Sequence, residues 1–397
     1  MTRIDLAGLT PRAAQVWGGI RLVPLVRDEP LEGLRLHREA YGAPGLAPDS
    51  VDLGGGVQYT SYIPHGFVAD WSGDDAAPGT GPGPGPGGES AAYGTQLGGV
   101  PARRLPLRHH RMAKRRRPEK RVRFLPLHLA LEGYLALHFG GPTTVWDEWS
   151  REALRRGLSP RAEDAYAGGE VRGLGEALRI FEIHPGQCGV MVYASDALAA
   201  AFVVPHPEDY RALHPSLLQD LYGELVHQYA LFGAPVPEFA ARISDAGRVR
   251  TLADLRAAAR EQERSWREAH DSLMARDLLE TPYVFERVSR MGAFALHRFL
   301  PPFHRGQREQ HIGELITDHK GRTAYLKTFR LSENQIRRGH LLRRLADCDG
   351  HLERTAEALG TSYEDLVRRI RSAGFQSLLD EHAVARRTRE IRRARKR

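Results

Sequence analysis

The feature that most constrains this chain is the spacing of three glycines near its C-terminus. Gly350, Gly360 and Gly374 punctuate residues 341–379, LLRRLADCDGHLERTAEALGTSYEDLVRRIRSAGFQSLL. Apolar residues recur at helical spacing in the runs they close. Leu341, Leu342, Leu345 and Ala346 form the first set, Leu352, Thr355, Ala356 and Leu359 the second, and Tyr363, Leu366, Val367 and Ile370 the third. That period marks amphipathic helices, and glycine, free to adopt left-handed backbone, is where such helices stop. Ser362 can cap the third helix, with Asp365 three residues on as the acidic partner of a capping box. Two helices joined by a short Gly-containing turn make a helix-turn-helix, which offers its second helix to a DNA groove.

The stretch resembles the Fis-type helix-turn-helix through Gly350, Ala356, Leu359, Gly360, Ser362, Leu366 and Gly374, with no insertion between them. It departs from that pattern at His351, Thr355 and Tyr363, where Asn, Ala and Arg are usual. The resemblance implies a homodimer reading two half-sites of double-stranded DNA. Residues 361–371 then enter the groove, and the DNA-binding set is Arg354, Thr361, Ser362, Tyr363, Arg368, Arg369 and Arg371. Glu364 and Asp365 suit the positive end of the helix dipole but repel phosphate, whereas the four arginines attract it. Two readings stay open: a DNA contact, or a three-helix packing module that kept the fold and lost the groove.

Charge matters here through its distribution. The net charge of +8 is concentrated in residues 103–123, with eleven basic residues and one acid, and 386–397, with eight and one. The rest of the chain is therefore acidic, which favours a local polyanion contact at these two stretches over a general trend. The alternative for 103–123 is a solvated or disordered loop, and for 386–397 a frayed solvated end. No apolar run is long enough to span a membrane and residues 1–12 lack a signal-peptide core, so a cytoplasmic location is expected. Cys188 and Cys348 make neither a disulfide scaffold nor a zinc site. His304, His311 and His319 are too widely spaced for a ligand pair, and His109–His110 sit among arginines, so no metal is expected. His184 and Cys188 lack an acidic orienter for a nucleophile pair.

In chain order, residues 16–26 read as a strand, 34–36 as a short second one and 57–68 as a third with clean alternation. A Gly/Pro tract at 73–90 has no periodicity. Residues 122–139 read as one or two buried strands interrupted near Glu132. Residues 187–194 and 199–204 form a hairpin about Ser195 and Asp196, followed by helix from 207 onward. A long amphipathic helix is expected over 251–279, and a further helix after Pro282 carrying Phe285, Val288, Phe294 and Phe299. The expected fold class is α+β: an N-terminal mixed sheet domain with helices over 12–235, then an all-α C-terminal part. That part comprises a helical linker region at 251–300, the Fis-like unit at 332–383 and a basic tail at 384–397.

Four stretches carry a second resemblance: GGIRLVPL at 18–25, GVQYTSYIPHG at 56–66, LALEGYLAL at 129–137 and GVMVYASDALAAAFVVPHPEDY at 189–210. Through them the first part is similar to the ARG (ADP-ribosylglycohydrolase) and rhodanese-phosphatase-superfamily-associated protein family. That resemblance implies a role near ADP-ribose or NAD signalling but no defined activity. Glu132 is the one catalytic candidate, since a carboxylate in apolar surroundings has its pKa raised; the alternative is a structural carboxylate. No phosphate-cradling loop is present, because Gly54–Gly55–Gly56 lacks the Lys and the strand-turn-helix context, and no cofactor is expected. The expected function is a DNA-binding regulator whose first domain senses or scaffolds. The alternatives are binding or processing of a nucleotide or ADP-ribose-type ligand, and an interaction scaffold in an ADP-ribose-linked system.

Overall fold

Two apolar runs, QCGVMVYA and ALAAAFV, meet across Ser195 and Asp196 and fold back as the central hairpin of the molecule. Both turn residues take left-handed backbone, with φ of 50° and 63°. That is the geometry of a two-residue hairpin whose twist matches its strands. Arg21 holds the turn: its guanidinium donates to the Asp196 carboxylate at 2.9 Å and to the Pro237 carbonyl at 2.8 Å.

A computed structural model describes residues 3–37, 183–214, 233–237, 246–304 and 309–379, a few isolated residues, and the backbone of six short strands between 51 and 123. In chain order the strands are β1 (Leu9–Pro11), β2 (Gln15–Trp17), β3 (Ile20–Arg27), β4 (Arg35–His37), β5 (Val51–Asp52), β6 (Val57–Tyr59), β7 (Phe67–Asp70), β8 (Ser90–Tyr93), β9 (Met112–Arg115), β10 (Lys120–Arg123), β11 (Gln187–Ala194), β12 (Ala197–Val203), β13 (Val284–Met291), β14 (Phe294–Leu300), β15 (His311–Asp318) and β16 (Thr323–Arg330). The helices are α1 (Leu252–Ala269), α2 (Arg276–Glu280), α3 (Glu333–Asp347), α4 (Leu352–Ala358) and α5 (Tyr363–Ser372).

Nine strands form one sheet in the order β1-β3-β11-β12-β16-β15-β14-β13, with β2 also on β3. Every described pairing in it is antiparallel. The seam between its halves is β12 on β16, from Ala200 opposite Phe329 to Val203 opposite Leu326. A four-stranded sheet, β10-β9-β6-β5, and a three-stranded one, β4-β7-β8, are not paired with it, although Leu36 of β4 belongs to the same core. The arginine-dense stretch 103–123 thus carries the β9–β10 hairpin.

The central part of the main sheet is covered on both faces, so β3, β11 and β16 are almost wholly inaccessible along their length, whereas β13 is largely accessible. On one face α1 brings Trp266 and the turn after it brings His270, whose Nε2 lies 2.8 Å from the Tyr193 hydroxyl. Thr251 and Asp254 make a reciprocal capping box at the start of α1. The helix then passes into a π-helical segment, His270–Met274, before α2.

The all-α C-terminal part expected from the sequence is wrong, and so is the mixed sheet. Residues 284–330 are β13–β16, four strands that complete the antiparallel sheet. Phe285, Val288, Phe294 and Phe299 fall on two strands of one hairpin, with Phe285 directly opposite Phe299. Their apparent helical spacing arose by running across the Gly292–Ala293 turn, where Gly292 has φ of 55°. The first strand read at 16–26 is likewise divided, by Gly18 and Gly19, into β2 and β3. Glu132, the helix expected at 143–158 and the basic tail lie outside the described residues.

Gly313 sits in the middle of β15, where a Cβ would lie 1.9 Å from the Lys327 carbonyl oxygen and 2.8 Å from the Phe299 ring. The close partner is backbone, so the sheet itself must move. Gly313→Ala is expected to lower unfolding free energy by about 3 kcal/mol, the upper range for overpacking, read by urea denaturation. A loss within error of zero would mean that β15 and β16 are not in this register.

Candidate nucleic-acid interface

The helical unit after the sheet is built on glycine and cap chemistry. Ser332 and Gln335 form a capping box at the start of α3. Phe303 at φ 55° lays its ring against Gly339 of α3, where a Cβ would meet it at 2.2 Å, and packs with Ile312, Leu331 and Ile336. The close glycine contact therefore sets α3 against the end of β15. A second, separate core joins the three helices: Leu341, Leu345, Ala356, Leu366, Val367, Ile370, Phe375 and Leu379.

All three helices end in the same double hydrogen-bond closure. Gly360 N–H donates to Glu357 and Thr361 N–H to Ala356; Gly374 donates to Arg371 and Phe375 to Ile370. At α3 the left-handed position is Asp349, φ 53°, with Gly350 following at 74°. Its amide donates to Ala346 and that of Gly350 to Leu345. Between α4 and α5, Ser362 accepts the Asp365 N–H at 3.1 Å. The Asp365 carboxylate pairs forward with Arg368 instead of reaching back to complete a box.

α5 buries Leu366, Val367 and Ile370. At about 100° per residue, Arg368 stands opposite that apolar face and Arg369 and Arg371 flank it. All three are exposed, as is Arg354 on α4. Ser362 is exposed but spends its hydroxyl on the cap, and Thr361 is half-buried. Tyr363 packs against the three-helix core. The arginines of the predicted set thus share the outer surface, while Tyr363 is largely committed to packing. Residues 332–379 hold eight arginines and seven carboxylates, so the unit itself is close to neutral. Within α5 the cations lie in the second half, at Arg368, Arg369 and Arg371, and the acids in the first turn, at Glu364 and Asp365.

Ionisable groups in the main sheet make a different pattern. Burial pushes the His311 imidazole down to about 3, with Arg330 adding to the effect, and neither ring nitrogen has a hydrogen-bond partner. Burial raises the Glu314 carboxyl, opposed by Lys327 and Arg298, its register partners on the two neighbouring strands. Burial raises the Cys188 thiol and Arg27 opposes it. His184 accepts the Gly186 N–H at 3.0 Å, so that ring is engaged with the turn before β11. His311 is buried at the start of β15 and His319 is exposed beyond its other end, so the three spaced histidines do not converge. Among the described residues no group of three His, Cys, Asp or Glu side chains is placed to hold a metal ion. Nor is any helix among them long and apolar enough to cross a membrane.

The described residues form an antiparallel sheet followed by a unit of three short helices with its own core, joined to the end of the C-terminal strands. The ARPP-2 family model matches residues 4–292, and the chain belongs to that family. No curated protein and no solved structure matches it. The match ends at the β13–β14 turn, so β14–β16 and the three helices lie beyond it.

Ser362→Ala removes the acceptor for the Asp365 N–H and is expected to cost about 1 kcal/mol, seen as faster amide exchange across α5 with the sheet amides unchanged. His311 supplies a pH signature. Its folded pKa lies below its ordinary value, so its contribution is complete above the ordinary value and is lost as pH falls toward about 3. His311→Leu should flatten the decline in stability between neutral pH and pH 4 relative to wild type; parallel curves would show that His311 is hydrated.

Proposed function

We propose that the chain is a cytoplasmic DNA-binding regulator whose α4–turn–α5 segment contacts double-stranded DNA, with the sheet domain as a sensing or scaffolding body. The observation that supports this most is the division of α5. Its apolar side is consumed by the three-helix core, while Arg368, Arg369 and Arg371 remain exposed, as does Arg354 on α4. A helix held from behind and cationic in front is what a groove-entering helix requires.

The near-neutral balance of the unit gives the reading a quantitative form. Long-range attraction to DNA scales with the phosphates neutralised, so three or four arginines alone bind weakly at physiological salt. The basic stretches 103–123 and 386–397 are then the main sources of sequence-independent affinity, and α5 that of register and selectivity. Binding as a homodimer at two half-sites doubles the cationic contact without further charge on one chain.

Duplex DNA binding by the full chain should weaken steeply with salt. Arg368→Glu with Arg369→Glu should reduce affinity at least about tenfold and lower the log–log salt slope by about two. Loss of binding only on removal of 386–397, with the double variant unaffected, would assign the contact to the tail and reject the groove reading.

A further inference from the structure

Three turns meet at one end of the main sheet and enclose a cleft of about 620 Å³: residues 29–33 after β3, Gly292–Ala293 between β13 and β14, and 319–322 between β15 and β16. The volume is within the range of small-molecule sites. Its floor is apolar, made by the buried Leu31 and Phe294. Leu31 is pinned by its N–H to the Pro205 carbonyl at 3.1 Å. The middle turn contributes only Gly292 and Ala293, so no long side chain fills the space from that side.

The two remaining turns carry opposite charge. Glu29 and Glu32 stand on one, and His319, Lys320 and Arg322 on the other. Lys320 and both glutamates are exposed. Among the described residues they form no ion pair, so the opposed rims are not neutralised across the gap. The basic turn is rigid. Asp318, buried at its base, accepts the amides of Lys320 at 2.9 Å and Arg322 at 2.8 Å, and pairs with Arg322 Nε at 2.7 Å. Gly321 at φ 79° completes this four-residue turn, and its N–H donates to the Asp318 carbonyl. Only Nε of Arg322 is committed to Asp318, and the side chain remains more than a third exposed.

We propose that this cleft binds a small zwitterion with an apolar body, an amino acid or short peptide. The ligand amine meets Glu29 and Glu32, its carboxylate meets Lys320 and Arg322, and its side chain lies on Leu31 and Phe294. A simple anion gains from the basic rim but faces two carboxylates across the gap, and a simple cation the reverse. Only a molecule with both charges, separated by an apolar span, uses both rims. The exposed rim charges give orientation and discrimination.

The test is calorimetry and thermal shift on the full chain with a panel of free amino acids and dipeptides, each dipeptide also as its N-acetyl and C-amide form, and with ADP and inorganic phosphate. At least one zwitterion should saturate, with each blocked form weaker by at least about tenfold. Glu29→Gln with Glu32→Gln should erase the penalty for N-acetylation while leaving that for amidation. Lys320→Gln should do the converse. Blocked forms that bind as tightly as the parent, no saturation by any member of the panel, or binding of ADP or phosphate alone would each overturn the proposal. The last would make the basic turn a simple anion site.

Discussion

The pairing of β12 with β16 is the contact on which the rest of the structure depends. It joins the hairpin pair β3–β11–β12 to the meander β13–β16, and no other described strand pairing connects these two groups. Its residues are far apart in sequence, so the cost is mainly the entropy of closing a long loop, which grows only slowly with length. What offsets that cost is burial. Phe202 of β12 meets Tyr325 of β16 edge-on with ring centroids 5.5 Å apart, and both are almost completely inaccessible. With this seam open, the central strands of both halves present apolar edges and faces to water.

Polar groups inside the sheet restrict the register of the meander that the seam joins. Glu314 lies opposite Lys327 on one side and Arg298 on the other, deep in the interior. A shift of one residue turns each of these side chains to the other face and leaves buried charge unpaired, which costs several kcal/mol by order of magnitude. The Tyr193, His270 and Asp271 chain acts on the opposite face. His270 bridges the Tyr193 hydroxyl and the Asp271 carboxylate, each at 2.8 Å, and thereby fixes the end of α1 over β11. Apolar burial supplies the drive to assemble, and these few polar contacts select the register.

The family boundary has a structural consequence. Residues 4–292 include β13 but not β14–β16, and it is those three strands that separate β13 from β12 in the sheet. The matched part and the remainder are therefore interleaved in one core. The three-helix unit, by contrast, has its own core and is tied to the sheet chiefly through Phe303, Ile312, Leu331 and Ile336. The division that matters mechanically falls near Ser332, well after the end of the family match.

Much of the local structure was legible in the chain. The Ser195–Asp196 hairpin, the cap at Thr251 and the glycine stops of the last three helices follow from turn and cap chemistry, which acts over a few residues. The meander was not, although its glycines at 292 and 321 were visible, because His311, Glu314 and Lys327 interrupt the apolar pattern that marks a strand. In β15 and β16 neighbouring strands cover all three, and Glu314 lies in register with Lys327 and Arg298. The charged cleft was equally hidden, since it brings together three turns from distant parts of the chain. By itself, then, the sequence determined the hairpin at Ser195–Asp196, the cap at Thr251 and the stops of the last three helices, because those choices are made by backbone and neighbouring side chains. Only the tertiary structure decided that residues 284–330 are strand, which arginines face outward and which charges confront one another, because each depends on burial between segments that the linear order keeps apart.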